Sequence, residues 1–339
     1  MHVAYHFKLA QAVPLPGSIT FEDLAKKTGL TVTNVARFIR RLAIAHVFAE
    51  SPPGNVSHTA ASALIHSDAN MYALLGHMME EAYGSSCKVV EALTRYPLGA
   101  GEPHESPFTL FFGESFFERK VSQPDTMLRF GRAMSCWSEG DGSDHMRDGY
   151  PWAELGVGTV VDVGAAVGHI SLAIAAKYPD LRFIVEDQPA IADEAVRFIG
   201  AAPEGVRRQV KFVPTDFFQP QPVEAKGAKA FILKHIFHDW SNKYALKIMK
   251  NVVDAMGPDS RLIIADAVMP PAGLLPRAQE EILRSFDILM LEQLNAQERD
   301  LGAWEALVKE GSGGKLKITS VTNPPKGGAV SIIECKFSA

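Results

Sequence analysis

The sequence has little cysteine, no long apolar run and no excess of positive charge. Its three cysteines, Cys87, Cys136 and Cys335, are scattered and odd in number among 339 residues, which supports neither a disulfide framework nor a zinc site. Apolar stretches such as residues 157–163 are far shorter than the ~20 residues of a bilayer span. No basic segment precedes an apolar one at Met1, so we expect no export signal, no membrane partner and a cytoplasmic location.

The charge balance excludes a broad basic surface. The sequence has 34 Lys and Arg residues against 39 Asp and Glu residues, which disfavours a dedicated nucleic-acid binder. Its 47% hydrophobic content and its length are typical of a globular protein with about two domains. We place the boundary near residue 145, with a helical cap in residues 1–145 and a cofactor-binding sheet in residues 146–339.

Residues 18–60 have the pattern of a winged helix. Gly29 ends a first predicted helix, Thr31 or Thr33 caps a second one, and a turn at residues 51–55 separates two short strands. Such a module often binds DNA. Five Lys and Arg residues against three acids leave a net charge of only +2 here, which is weak for binding phosphates. The pattern therefore favours a packing module over a DNA-binding one.

Residues 70–140 are predicted to be mostly helical and are rich in methionine and aromatic residues. Phe130, Met134 and Trp137 lie in this segment. Soft and flat side chains at this density suit either an ordinary core or a helical cap over an aromatic ligand. For Phe130 and Met134 the core position and the ligand contact are both open.

From Gly158 onward, short apolar strands alternate with helices. The predicted strands are residues 159–163, 183–185, 210–213, 230–233 and 261–265. Near-continuous apolar strands between helices are typical of a doubly wound, mostly parallel sheet, so we expect a Rossmann-like α/β fold. Residues 316–321 and 329–337, around the turn 323–328, are predicted to form a C-terminal β-hairpin.

Polar or small residues follow three successive predicted strands. The turn Gly164-Ala165-Ala166 follows the first strand, Glu186-Asp187 ends the second, and Asp216-Phe217 follows the third. Small residues allow a close approach to backbone amides, a carboxylate can accept from a ribose diol, and an aromatic face can hold an adenine. Taken one by one, these features also suit a tight connection, a helix cap or a solvated turn.

These motifs, together with the segments 234–240 and 295–299, resemble the class I S-adenosylmethionine-dependent O-methyltransferases. The resemblance is closest to the fungal secondary-metabolite enzymes, which are related to the plant caffeate-type enzymes. It covers nearly the whole chain, because that family also has an N-terminal winged-helix and dimerisation region. It implies a homodimer, S-adenosylmethionine as cofactor, no metal, and a hydroxyl group of a small aromatic or polyketide-type metabolite as the methyl acceptor.

The resemblance also implies residue roles. Gly164 would lie against the methionine part of the cofactor, Asp187 would hold the ribose, Asp216 and Phe217 would contact the adenine, and Lys234 would lie near the ribose. The general base would be His238, flanked by the acids Asp266 and Glu298, although the family commonly has Glu at the first of these two positions. The candidate substrate contacts are Phe130, Met134, Trp137, Asp287, Met290 and Asn295.

Imidazole chemistry fits this reaction. A phenol with a pKa near 10 is mostly un-ionised at neutral pH, so a positioned histidine can remove its proton as the oxygen attacks a methyl group about 3 Å away. Carboxylates at the other ring nitrogen would fix the tautomer and stabilise the imidazolium.

The sequence departs from the family in two places. Ala165 and Ala166 stand where the family usually has glycine, and their methyl groups would crowd the cofactor or force a different backbone. Only a few residues precede the winged helix, so we expect either a trimmed chain or an altered dimer. The altered turn favours a second function class, a pericyclase or dehydratase that binds S-adenosylmethionine without methyl transfer, whereas His238, Asp266 and Glu298 favour methyl transfer.

Overall fold

The computed structural model describes residues 1–97, 99, 101–141, 143–324 and 328–338. Two compact units divide the chain. The first contains Met1–Arg95 and Pro107–Glu139, and the second contains Tyr96–Ser106 and Gly140–Ala339. Over the described ranges, the helices are all too short or too polar to cross a membrane.

The first unit is mainly helical. Its helices in chain order are α1 (His2–His6), α2 (Leu9–Ala12), α3 (Phe21–Thr28), α4 (Val32–Ile44), α5 (Ala60–Ser67), α6 (Ala69–Gly76), a π-helical turn (His77–Ala82), α7 (Tyr83–Ser86), α8 (Val89–Arg95), α9 (Pro107–Phe112), α10 (Phe116–Ser122) and α11 (Pro124–Asp141). The short strands β1 (Ser18–Thr20), β2 (Phe48–Glu50) and β3 (Asn55–His58) form an antiparallel sheet in the order β1-β3-β2.

Capping residues set the limits of α3 and α4. The backbone N–H of Asp23 donates to the Thr20 hydroxyl at the start of α3, and Gly29 ends that helix in the left-handed region with a φ of 74°. Thr31 caps α4 by accepting from the backbone N–H of Asn34. The predicted helix end at Gly29 and the predicted cap at Thr31 are therefore confirmed.

The second unit is built on one large sheet. Its helices are α12 (Ser143–Asp148), α13 (His169–Lys177), α14 (Ala192–Gly200), α15 (Glu204–Arg207), α16 (Asn242–Val253), α17 (Arg277–Leu294) and α18 (Leu301–Gly311). Its strands are β4 (Gly158–Val163), β5 (Leu181–Asp187), β6 (Val210–Pro214), β7 (Ala230–Lys234), β8 (Arg261–Asp266), β9 (Val268–Met269), β10 (Arg299–Asp300), β11 (Leu316–Thr322) and β12 (Ser331–Phe337). The main sheet has the order β11-β12-β8-β7-β4-β5-β6, and β9 pairs with β10.

The predicted doubly wound sheet is confirmed. Strands β4 to β8 are mutually parallel, and β12 is antiparallel to both β8 and β11. Successive residues such as Val160 and Val161 are both buried, on opposite faces of β4, because apolar clusters cover both faces of the sheet. The C-terminal hairpin is formed by β11 and β12, and residues 325–327 of its predicted turn lie outside the described residues.

Strand order determines where a ligand can bind. The chain runs from β4 outward to β5 and β6, and then returns to the other side of β4 to form β7 and β8. The connections therefore diverge at the carboxyl ends of β4 and β7, which is where open α/β sheets place their binding crevice. The residues predicted to bind the cofactor and to act as the base lie at this edge.

Candidate active site

A glycine begins the turn that follows β4. Gly164 has a φ of 71°, and its N–H donates to the carbonyl oxygen of Glu186 at 2.8 Å. A Cβ at this position would lie 2.4 Å from Cδ1 of Ile236 and 3.5 Å from the ring of Phe217. Both the conformation and the close packing therefore require glycine here.

The same turn carries an alanine in a conformation that glycine normally occupies. Ala166 has a φ of 51°, and its N–H donates to Oδ2 of Asp187 at 2.8 Å. The left-handed conformation costs an alanine about 1–2 kcal/mol. Of the two expected outcomes, crowding or a changed backbone, the turn shows neither a regular right-handed conformation nor a buried methyl group, because Ala166 is exposed.

Asp187 is the carboxylate best placed to receive hydroxyl groups at this edge. Its Oδ1 accepts from the backbone N–H of Gln188 at 2.7 Å and its Oδ2 accepts from Ala166. Burial raises the pKa of Asp187, whereas these two N–H groups oppose that shift. A carboxylate has about four acceptor sites, so two remain after both backbone bonds are made.

The other predicted cofactor contacts end the neighbouring strands. Asp216 is exposed and accepts from the N–H of Phe218 at 2.9 Å. The ring of Phe217 is half-buried, 4.9 Å from the ring of Phe218 and 6.0 Å from that of Trp240. Lys234 is the last residue of β7 and is half-buried.

His238 lies in a short 3₁₀ turn, Phe237–Asp239, just after β7. Its Nδ1 donates to Oε1 of Glu298 at 2.9 Å. Its Nε2 lies 3.4 Å from Oδ1 of Asp239, and 14% of the side chain is exposed. The carboxylate at Nδ1 fixes the ring orientation and leaves Nε2 as the nitrogen that can exchange a proton.

Asp266 lies near His238 without bonding to it. This last residue of β8 has its Oδ1 3.9 Å from Nδ1 of His238 and 3.8 Å from Nδ1 of His235. Its side chain is 0% exposed, and neither oxygen accepts a hydrogen bond within the described part of the chain. His235 has a φ of 53°, so a strained backbone supports the second imidazole. The two predicted acids therefore differ, since Glu298 is bonded to the base and Asp266 is only close to it.

The electrostatics of this cluster favour a positive imidazole. Burial alone would lower the pKa of His238, but attraction to Glu298, Asp239 and Asp266 outweighs it and raises the pKa to about 10. Burial raises the pKa of Asp266 to about 7 and that of Asp239 to about 6. Burial also opposes ionisation of Glu298, but its bonded imidazole lowers the pKa overall. The ion pair of His238 with Glu298 is the stable arrangement without a ligand.

A buried arginine fixes the loops around His238. Arg299, 1% exposed, donates to the carbonyl oxygens of Phe237 at 2.7 Å and Trp240 at 2.8 Å. The N–H of Glu298 donates to Oδ1 of Asp287 at 2.9 Å. These bonds tie the segment that carries the acid to the turn that carries the imidazole. A metal could also use the His235, His238 and Asp266 side chains, whose ligand atoms lie within 4.8 Å of one another, but Nδ1 of His238 is occupied by Glu298, and we assign these groups to proton chemistry.

The predicted substrate contacts fall in both units. In the second unit, Asp287 bonds to the backbone of Glu298, Met290 is buried on α17, and Asn295 ends α17 with Nδ2 donating to the Glu102 carbonyl oxygen at 3.0 Å. In the first unit, Phe130, Met134 and Trp137 are half-buried on α11. Asn295 and Asp287 thus have structural partners, and the role of all six as substrate contacts stays a prediction.

Sequence reasoning missed three residues of this site. His235, Asp239 and Arg299 lie next to or between recognised motif residues, but their types alone suit a loop or a helix cap. A histidine three residues before His238 was the one available signal for His235. The position of Arg299, buried beneath the 3₁₀ turn, depends on the pairing of β9 with β10, which the sequence pattern does not predict.

Three comparisons place this chain among known proteins. A family model described as an O-methyltransferase domain matches residues 98–313. The O-methyltransferase bik3 of Gibberella fujikuroi is 34% identical over 334 residues, which are 97% of this chain and 73% of that protein. The O-methyltransferase aoiF of Aspergillus oryzae is 31% identical, with 98% and 79% covered. The crystal structure of the O-methyltransferase NcsB1, solved with S-adenosylmethionine and 2-hydroxy-5-methyl naphthoic acid, has a TM-score of 0.79 at 24% identity, covering 99% of this chain and 94% of that one.

The turn after β4 gives a direct test of these backbone strains. Gly168 has a φ of 86°, and a Cβ there would lie 2.9 Å from Cγ2 of Val185. We expect Gly168→Ala to lower the free energy of unfolding by about 2 kcal/mol, and Ala166→Gly to leave it unchanged or raise it by up to about 1 kcal/mol. Urea unfolding measures both. Gly200→Ala, in helix α14 with open space around it, is the control and should not destabilise; a Gly168→Ala variant as stable as the parent would contradict this description.

Proposed function

The chain belongs to the O-methyltransferase family, and we propose that it transfers the methyl group of S-adenosylmethionine to a hydroxyl of a small aromatic or polyketide-type natural product, with His238 as the general base. The observation that supports this most strongly is the buried pair of His238 and Glu298, 2.9 Å apart at the edge of the sheet where Asp187 also ends a strand. Family membership is shared with the curated relatives, and the aromatic acceptor agrees with the naphthoic acid bound by NcsB1.

The residues at the strand ends fit the proposed cofactor. Asp187 has acceptor sites left for a ribose diol, and Phe217 offers a half-buried aromatic face for an adenine. Gly164 would hold the methionine part, with Asp216 at the adenine and Lys234 near the ribose. S-adenosylmethionine supplies a sulfonium methyl group that an oxygen nucleophile can attack in line.

The chain's own contribution is proton transfer. Nε2 of His238 accepts the proton of the acceptor hydroxyl as its oxygen becomes nucleophilic, while Glu298 holds Nδ1 and stabilises the imidazolium. Asp266 adds negative charge 3.9 Å away, which further favours the protonated ring. Because the same charges raise the pKa of His238 in the ligand-free protein, the ring must lose its own proton before each turnover.

A pericyclase or dehydratase that binds S-adenosylmethionine without methyl transfer is the second candidate. The observation that favours it is the strained Ala166 in the cofactor turn, because a weakened cofactor site matters less when the cofactor is only a bound charge. The two candidates differ in their products. Methyl transfer releases one S-adenosylhomocysteine for each product molecule, and the pericyclic reaction releases none.

Removal of the imidazole tests the proposed base. We expect His238→Ala to lower methyl transfer to a panel of phenols by about 10²–10⁴-fold, because general-base catalysis contributes a factor of that size. The measurement is transfer of label from S-adenosylmethionine, with S-adenosylhomocysteine counted in parallel. The exposed His104→Ala is the matched control and should keep the parent rate. Undiminished transfer in His238→Ala would remove His238 from the role, and product without S-adenosylhomocysteine would favour the pericyclase.

The acid at Nδ1 tests the electrostatics. In the parent, transfer should increase as pH rises above 7, because His238 accepts a proton only after it has lost its own. Removal of the Glu298 charge weakens attraction for the imidazolium, so Glu298→Gln should move this rise to lower pH by about 1–2 units. The pH dependence of kcat/KM measures the shift. Glu305→Gln, at an exposed position of α18, should keep the parent profile, and a Glu298→Gln profile shifted to higher pH would be incompatible with the assignment.

A homodimer is the third part of the proposal. Five large apolar side chains of the first unit are more than half exposed: Tyr83, Val90, Leu93, Val121 and Leu128. Exposed apolar surface of this kind often marks an interface between protein chains. Light scattering coupled to size exclusion should give twice the mass of the chain, and a monomer mass at micromolar concentration would contradict the dimer.

A further inference from the structure

A second buried group of charges lies in the first unit. We name it the Glu81 cluster, and it consists of His77, Glu81, Lys120 and Arg129. Nζ of Lys120 donates to both carboxylate oxygens of Glu81 at 2.7 Å, a guanidinium nitrogen of Arg129 donates to Oε1 at 2.7 Å, and Nδ1 of His77 donates to Oε2 at 2.6 Å. The Lys120 side chain is 0% exposed and that of Glu81 is 1% exposed.

The cluster has aromatic walls and an unusual backbone. The ammonium of Lys120 lies 4.5 Å from the ring centre of Phe116 and 5.4 Å from that of Phe130. The His77 ring lies 5.5 Å from the Phe130 ring. His77 and Glu81 belong to the π-helical turn, and such turns inside helices occur frequently at functional sites.

The charges of the cluster do not balance. One carboxylate faces the two permanent cations Lys120 and Arg129, so the net charge is at least +1. Nearby acids are engaged elsewhere: Glu80 with His2 and His6, Glu114 with Arg119, and Glu118 with Ser115. Arg119 brings a further positive charge close to Lys120. A buried net charge is unfavourable unless a partner neutralises it.

Arg129 is the member with unused binding capacity. Its Nε is buried and has no hydrogen-bond partner among the described residues, although Tyr5 also faces this side chain. Its side chain is 22% exposed, so the guanidinium is the part of the cluster that solvent can reach. Guanidinium groups recognise carboxylates through paired N–H bonds. A cluster that only stabilised the fold would need one cation for Glu81, and Lys120 already supplies it.

We propose that the Glu81 cluster binds the carboxylate of an aromatic acid, with Arg129 as the main contact and Phe130 against the ring system. This inference rests on the proposed function in one respect, since the bound acid is then the methyl acceptor and the substrate class is an aromatic hydroxy acid. The charge balance, the unpartnered Nε and the aromatic walls are properties of the first unit alone. An acid is also the class of ligand that NcsB1 holds in its crystal structure.

Calorimetry with two matched probes tests the binding site without methyl transfer. The probes are 2-naphthoate and its neutral amide, 2-naphthamide, titrated into the full chain without cofactor. The parent should bind the acid at least about tenfold more tightly than the amide, and Arg129→Gln should abolish that preference. Arg132→Gln, at an exposed position of the same helix, should retain it. No measurable binding of 2-naphthoate to the parent, or equal binding by Arg129→Gln, overturns the proposal.

Stability separates binding from a structural role. Because Lys120 still neutralises Glu81 in Arg129→Gln, the urea midpoint of this variant should equal or exceed that of the parent, and a clearly lower midpoint would assign Arg129 to fold stability. The proposed function fails separately. Methyl transfer to neutral phenols with no preference for acids would leave the enzyme assignment intact and overturn this inference, whereas binding of the acid without any methyl transfer would do the reverse.

Discussion

The hydrogen bond between His238 and Glu298 is the interaction on which the candidate site depends. A half-buried imidazole beside three carboxylates is stable only when its charge and orientation are fixed. Arg299 holds the turn that carries the ring, and Asp287 holds the backbone of Glu298. The surrounding loops thus serve to hold one nitrogen against an acid and to leave the other available for a proton.

The parallel sheet brings these groups to one edge. His238 follows β7, Asp266 ends β8 and Asp187 ends β5, and all of these strands point the same way. Residues 187 and 266 are far apart in sequence, yet the return of the chain to the other side of β4 brings them to the same side of the sheet. Gly164 connects the two halves, because only a residue without a side chain fits between the turn and Ile236.

Local sequence signals predicted most of the second unit. Apolar runs located β4 to β8 and both hairpin strands, since a strand buried on both faces needs apolar residues throughout. Gly29 and Thr31 located helix ends because capping depends on neighbouring residues. The family resemblance named His238, Asp266 and Glu298, but no local pattern predicts that Glu298 bonds to the ring while Asp266 stays 3.9 Å away. The same limit applies to Lys120, whose burial depends on Glu81 of a distant helix; its sequence position suggests an exposed charge.

The central claim is that the acceptor hydroxyl meets Nε2 of His238. A crystal structure of the chain with S-adenosylhomocysteine and a bound phenolic acceptor measures this directly. The account predicts a hydroxyl oxygen about 2.6–3.2 Å from Nε2 of His238, with Nδ1 still bonded to Glu298. An acceptor whose hydroxyl groups all contact other residues, with Nε2 of His238 facing solvent or protein, would contradict it.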